Sequence, residues 1–106
     1  MSDLYCRLSD WSPLISGKWK LEILFVLSQG SARWSQLTHA FPDAAPNVLT
    51  RQLRKLEQDG MILRQVIGER PPQVVEYRLT AKSEAMLPFL QALENWDQIY
   101  GREVSA

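Results

Sequence analysis

A single cysteine, Cys6, and a single histidine, His39, stand among 106 residues. One thiol excludes an intrachain disulfide and any cysteine-cluster metal site. A conventional zinc site or a Ser–His–Asp arrangement would rest entirely on His39, which sits in SQLTHAF and reads as a surface or half-buried residue. No apolar run approaches the ~18 residues of a membrane span, and the N-terminus lacks the basic-then-apolar layout of a signal peptide. The expectation is a soluble, cytoplasmic protein with no membrane partner. Paired carboxylates, metal-ligand spacing, Gly-rich phosphate loops and nucleophile–base pairs do not stand out either, so neither an enzyme nor a bound cofactor is expected. Excess charge is also lacking: twelve basic and twelve acidic residues sum to zero, which weighs mildly against nucleic-acid binding.

What is present argues for a folded chain. With 45% apolar residues and four tryptophans, the sequence can build a core, and its length suits a single domain over residues 1–106. The charge is also uneven. From Gly30 to Arg78 there are seven Arg or Lys against five Asp or Glu; from Ala81 to Ala106 there are two against four. The middle is the basic part.

That middle contains PNVLTRQLRKLEQDG, Pro46 to Gly60. At 100° per residue, Leu49, Leu53 and Leu56 share one side of a helix, where a core can bury them. Asn47, Thr50, Arg51, Arg54 and Gln58 share the opposite side, with amide, hydroxyl and guanidinium donors and no carboxylate among them. Such side chains read base edges in a major groove and grip flanking phosphates. Pro46 suits a first helical position and Gly60 a left-handed C-terminal cap. A solvated face on an ordinary helix remains the bland alternative, so the surrounding elements must decide.

Residues 1–12 read as a polar N-terminal arm with Leu4, Tyr5 and Leu8 as apolar points. Ser12-Pro13 reads as an N-cap and first-turn proline. KWKLEILFVLSQG is apolar on nearly every side, which predicts a central helix buried all round and ending near Gly30. Ser31 to Trp34 suggests a small strand. Ser35 is expected to cap a brief helix over Gln36 to Phe41, with Leu37 and Phe41 facing inward. Pro42-Asp43 turns the chain into the Pro46 helix, an order and spacing that match a helix-turn-helix unit. Met61 to Ile67 and Val74 to Leu79 then read as strands joined by GERPPQ, and Val75, Tyr77 and Leu79 share a face. Two strands with a basic tip after a reading helix make a wing, where Arg70 is placed for phosphate or minor-groove contact and Arg64 lies on the strand feeding it. Thr80 caps a last helix over residues 81–100, whose apolar arc, from Met86 through Phe89, Leu93 and Trp96 to Tyr100, spans roughly half the circumference and exceeds the ~100° one core needs. Pro88 should kink or restart that helix.

LISGKWKLEILFVLSQGSARWSQL, PNVLTRQLRKLEQDGMI, the PP…VEYRLT wing and the MLPFLQALENW helix resemble HxlR-type winged-helix transcriptional regulators, in the family's order and from Cys6 to about Tyr100. The resemblance implies a mainly α fold with a small β wing (α+β), a winged helix-turn-helix that dimerises through terminal helices. It also implies a homodimer bound to double-stranded DNA at an inverted-repeat operator, acting more often as a repressor. On the same resemblance the helix from Pro46 reads bases, Ser35 and Gln36 approach phosphate, and Arg70 belongs to the wing. Family members commonly carry a cysteine at the spacing from GKW at which Cys6 stands, in some as a redox or electrophile sensor. This sequence departs from the family at Ala45, where a capping serine is usual, and at Ser83, where a glycine is usual. Val74-Val75 lengthens the wing by one residue, and Pro13 interrupts the first helix. Near-neutral charge and the uncapped helix leave a protein-binding winged helix without DNA contact as the competing reading. Cys6 likewise reads either as a small apolar residue in a packed arm or as a reactive thiolate.

Overall fold

The computed structural model describes residues 4–104, with side chains from residue 7 onward. Its order is α1 (Leu4–Trp11), a 3-10 turn (Ser12–Leu14), α2 (Lys20–Ser28), β1 (Ala32–Arg33), α3 (Trp34–Ala40), α4 (Pro46–Gln58), β2 (Ile62–Ile67), β3 (Val74–Leu79), α5 (Ala81–Glu84) and α6 (Leu87–Val104). The three strands form an antiparallel sheet in the order β1-β3-β2. This is a mainly helical winged fold, as the sequence predicts.

Burial is built from stripes of one residue in three or four. Ile23, Leu24 and Leu27 of α2, Leu37 of α3, and Leu49, Leu53 and Leu56 of α4 are buried together with Met61, Ile62, Tyr77, Leu79 and Leu90. Each large apolar side chain removed from water contributes about 1.5–3 kcal/mol. Packing therefore outweighs intrinsic propensity in fixing the helices, whose residues differ in propensity by only tenths of a kcal/mol.

Four local expectations are corrected. The N-terminal arm is helical from Leu4 to Trp11, because no breaker interrupts a segment whose Leu4, Leu8 and Trp11 recur at helical spacing. Ser12 does not cap: Trp11 holds that position without a side-chain bond, and the Ser12 carbonyl instead accepts from Ile15 N–H (3.1 Å) and Ser16 N–H (2.9 Å). The central helix is not buried all round. It starts at Lys20, after Trp19 takes a left-handed φ of 82°, and Leu21, Phe25 and Val26 are only half-buried. These three pack against the edge of the core, and Leu21 and Phe25 also line a groove that faces α6. Ser35, finally, lies inside the first turn of α3, since Arg33 is the N-cap, and the Gln36 side-chain carbonyl accepts the Arg33 N–H at 2.8 Å.

The last helical region restarts where Pro88 demands it. Thr80 opens α5 by accepting the Ser83 N–H at 3.3 Å, and a fresh helix begins at Leu87, with Pro88 in its first turn where no backbone N–H is needed. This helix runs past Tyr100 to Val104. None of the helices among the described residues is long and apolar enough to cross a membrane.

Candidate nucleic-acid interface

The helix α4 supplies the face to be tested for DNA contact, and its two ends are fixed by different means. Ala45 is extended (φ −61°, ψ 141°) and offers no side-chain cap, so Pro46 at the first position carries the start. A missing N–H costs nothing there, and the ring presets the helical φ. At the far end Gly60 adopts φ 73°, its N–H bonds the Glu57 carbonyl at 3.0 Å, and the Met61 N–H reaches back to Leu56 at 2.8 Å. That pair of bonds is a Schellman cap, and Met61 and Leu56, the residues it brings together, are both fully buried.

The carbonyls that follow are then taken by the opening of α5. Lys82 Nζ donates to Asp59 O, Thr80 Oγ1 to Gly60 O and Ser83 Oγ to Met61 O, each at 2.6 Å. Ser83 is almost completely buried, and its hydroxyl also accepts the Thr80 N–H at 3.0 Å. The serine that replaces a familiar glycine thus ties the end of α4 to the start of α5. Sequence reading found Thr80 only as a cap, because a bond between residues 59–61 and 80–83 leaves no periodic trace.

With Leu49, Leu53 and Leu56 buried, the opposite face of α4 is presented outward as expected from its spacing. Asn47, Arg51, Arg54 and Gln58 are exposed and Thr50 is half-buried. Pro46, Asn47, Thr50, Arg51 and Arg54 together line one shallow depression of about 420 Å³ along this face. Neither guanidinium of Arg51 and Arg54 is engaged in a hydrogen bond or ion pair among the described residues. Both keep all five donors for an outside acceptor.

A second groove, about 600 Å³, runs between α4 and the wing sheet. Thr50 and Arg54 on one side meet Arg64, Gln73 and Val75 on the other, with Trp34 at one end and Glu57 on the α4 wall. Arg54 therefore belongs to both depressions, and Arg64, on β2, joins the site that the sequence had linked only to the wing. Glu57 is the acidic member of this groove; it is absent from the outer face of α4.

The wing itself is a hairpin in the register Ile67↔Val74 through Ile62↔Leu79. Gly68 turns at φ 108°, and Gln73 Nε2 donates to the Gly68 carbonyl at 3.2 Å across the loop. Arg70 is exposed at this tip and lines neither depression, although Gln73 of the same loop lines the second. Ser35 and Gln36 are exposed at the start of α3, and Gln36 is committed through its carbonyl to Arg33, which leaves its amide N–H groups outward. His39 is exposed, and no cluster of His, Cys, Asp and Glu able to hold a metal ion occurs among the described residues. The thiol of Cys6 lies outside the described side chains.

The family model for the HxlR-like helix-turn-helix matches residues 14–105. An uncharacterized HTH-type transcriptional regulator of Methanothermobacter thermautotrophicus is 44% identical over 87 residues, covering 82% of this chain and 66% of that protein. The uncharacterized HTH-type transcriptional regulator YkvN of Bacillus subtilis is 33% identical over 103 residues, covering 97% of this chain and 86% of its own length. Among solved structures, the redox regulator HypR in its reduced form superposes with a TM-score of 0.83 at 28% identity over 98% of both chains. The chain belongs to the HxlR-like helix-turn-helix family and is a DNA-binding transcriptional regulator of that kind.

Proposed function

We propose that the protein works as a homodimer on an inverted-repeat operator in the cytoplasm, where it represses transcription by occupancy and catalyses no reaction. The observation that carries this reading is the outer face of α4, whose Asn47, Arg51, Arg54 and Gln58 are exposed and free of any carboxylate. Arginine pairs bidentately with guanine and asparagine or glutamine with adenine, so this face is equipped for base edges. Pro46 and Thr50 border it; Ser35 and Gln36 at the start of α3, and Arg70 on the wing, are assigned to phosphates on either side. Arg64 extends the phosphate contacts along the groove between α4 and the sheet. An occupied site excludes polymerase sterically, so repression requires no surface beyond these contacts.

Dimerisation is assigned to α6. Phe89, Trp96, Ile99, Tyr100 and Val104 are all exposed large apolar residues, and only Leu90 of this helix is buried. Contiguous apolar surface of this kind marks an interaction site. Two reading helices held about 34 Å apart then meet successive major grooves on one side of the duplex. Footprinting on DNA upstream of the gene and its neighbours tests the reading: two protected half-sites about one helical turn apart are expected, and a protein that shifts no such DNA at low salt would sink it in favour of the protein-binding alternative.

A second reading concerns Cys6. The likeness to HypR, a redox regulator, supports a thiol response superimposed on DNA binding. Cys6 belongs to α1, at the opposite end of the chain from α6.

A further inference from the structure

The groove between α4 and the wing sheet has a layered wall. Arg54 and Arg64 are exposed at its rim, Trp34 and Val75 are half-buried, and Leu53 and Tyr77 are buried. Tyr77 is only 9% exposed, yet its hydroxyl makes no hydrogen bond among the described residues. No side-chain oxygen or nitrogen sealed from solvent is left unpaired among those residues. The Tyr77 hydroxyl must therefore open to water, and the groove is a depression that Tyr77 lines. Tyr77 also stands opposite Arg64 in the register of β2 and β3, which puts both side chains on one face of the sheet. An unused phenol donor is thus set beside a guanidinium, in a slot walled by an indole and aliphatic carbons.

We infer that this groove is a binding site for a flat aromatic monocarboxylate. Its ring packs against Trp34 and Val75, and its carboxylate accepts from the Arg54 and Arg64 guanidinia and from the Tyr77 hydroxyl. The volume of about 600 Å³ lies within the roughly 300–1,000 Å³ of small-molecule sites. Glu57 sets one negative charge against the two arginines of the lining, so a monoanion matches the remainder. A neutral analogue forfeits the charge-assisted bonds, and a cation meets net repulsion.

DNA contact accounts for the rim of this groove and leaves its floor unused. A backbone phosphate engages Arg54 and Arg64 but has no ring to set against Trp34 and no use for a hydroxyl among buried carbons. No residue of α6 lines the groove, so a second copy seated on α6 leaves it open. Operator and ligand both claim the same two guanidinia, and the ligand therefore releases the protein from DNA. That consequence rests on the reading of α4 proposed above; binding to the free chain does not.

2-Naphthoate is the probe, with 2-naphthamide as its neutral isostere. Titration calorimetry of the full chain without DNA is expected to show one naphthoate site per chain and about tenfold weaker binding of the amide, or less. Tyr77→Phe removes only the hydroxyl and should weaken naphthoate about five- to tenfold with unchanged circular dichroism, as should Arg64→Gln. The indole N–H resonance of Trp34, assigned through Trp34→Phe, should move as naphthoate is added to the parent. Equal binding of acid and amide, no binding of naphthoate, a Tyr77→Phe variant that binds as the parent does, or an unmoved Trp34 resonance would each overturn the inference. On operator, Tyr77→Phe should shift DNA like the parent but need more naphthoate for release; naphthoate bound with the operator still in place would overturn it as well. A parent that shifts no DNA counts against the reading of α4 alone, because titration of the free chain decides the ligand site separately.

Discussion

Lys82 Nζ donates to the Asp59 carbonyl at 2.6 Å, across 23 residues of sequence. It is the outermost of three side-chain bonds from the start of α5 to the carbonyls that end α4, and Ser83 is the innermost and most buried. Ser83→Ala leaves the Met61 carbonyl only the long 3.4 Å bond from the Thr80 N–H and removes the 3.0 Å bond of that N–H to Ser83 Oγ, in a dry site, at a cost of about 1–3 kcal/mol. Lys82→Met loses a bond exposed to water and should cost less than about 1 kcal/mol. Urea melts with unchanged slope and a lower midpoint for Ser83→Ala check this order. A larger loss at Lys82 than at Ser83 would mean that the three bonds do not form the graded clamp described.

Arg51 and Arg54 stand one turn apart on the exposed face of α4, and Arg54 alone also reaches the groove beside Arg64. Arg51→Ala is therefore expected to act on base reading, with a loss of about 1–3 kcal/mol and relaxed preference at one base pair. Arg54→Ala, nearer the wing, should weaken all sequences alike and lower the salt slope by about one. Gel shifts on operator and scrambled DNA across a salt series separate the two. Operator affinity that survives the double change would remove α4 from the role of reader.

Much of this arrangement was legible because it is periodic. Leu49, Leu53 and Leu56 recur at helical spacing and are buried, and Val75, Tyr77 and Leu79 alternate along β3 as a strand requires. Pro88 and Gly60 mark a restart and a cap by their covalent geometry alone. What stayed hidden was non-periodic or non-local. Ser12 and Ser35 look like caps in sequence, yet Trp11 and Arg33 hold those positions, since a shift of one or two residues in a helix start has almost no sequence signature. The left-handed Trp19 and the bonds from Thr80, Lys82 and Ser83 depend on tertiary partners, as does the groove that exposes part of α2. Arg64 was placed in the wing correctly, but its approach to Arg54 follows from how β2 lies beside α4.

Trp96 and Tyr100 lie one turn apart on α6, with ring centroids at 5.8 Å, and both remain about half exposed. Against a second copy this pair and Ile99 would bury the apolar arc that a lone chain leaves wet. Ile99→Glu, at a residue 70% exposed, should leave the fold of each chain intact. It should place carboxylates in the interface, shift sedimentation from dimer to monomer, and abolish operator binding at concentrations where the parent is saturated. Deleting residues after Glu84 should give an insoluble or monomeric protein. Ile99→Glu that sediments as the parent dimer would move the interface off α6.

Cys6 provides the last expectation. Only its thiolate reacts quickly with oxidants or electrophiles, and it has no second cysteine in the chain to resolve a sulfenic acid. Oxidation must then end in a bridge to Cys6 of a second copy, a mixed disulfide with a small thiol, or overoxidation. A bridge requires Cα atoms within about 7 Å across the dimer axis, so non-reducing electrophoresis after diamide distinguishes it from the other products. Cys6→Ser should bind operator like the parent in reductant and should no longer lose binding under diamide or a quinone. The two reagents also divide the chemistry, because a quinone alkylates without needing a partner thiol whereas diamide drives disulfide formation. If parent and Cys6→Ser respond alike to both, the thiol is structural, and HypR-like redox control does not extend to this chain.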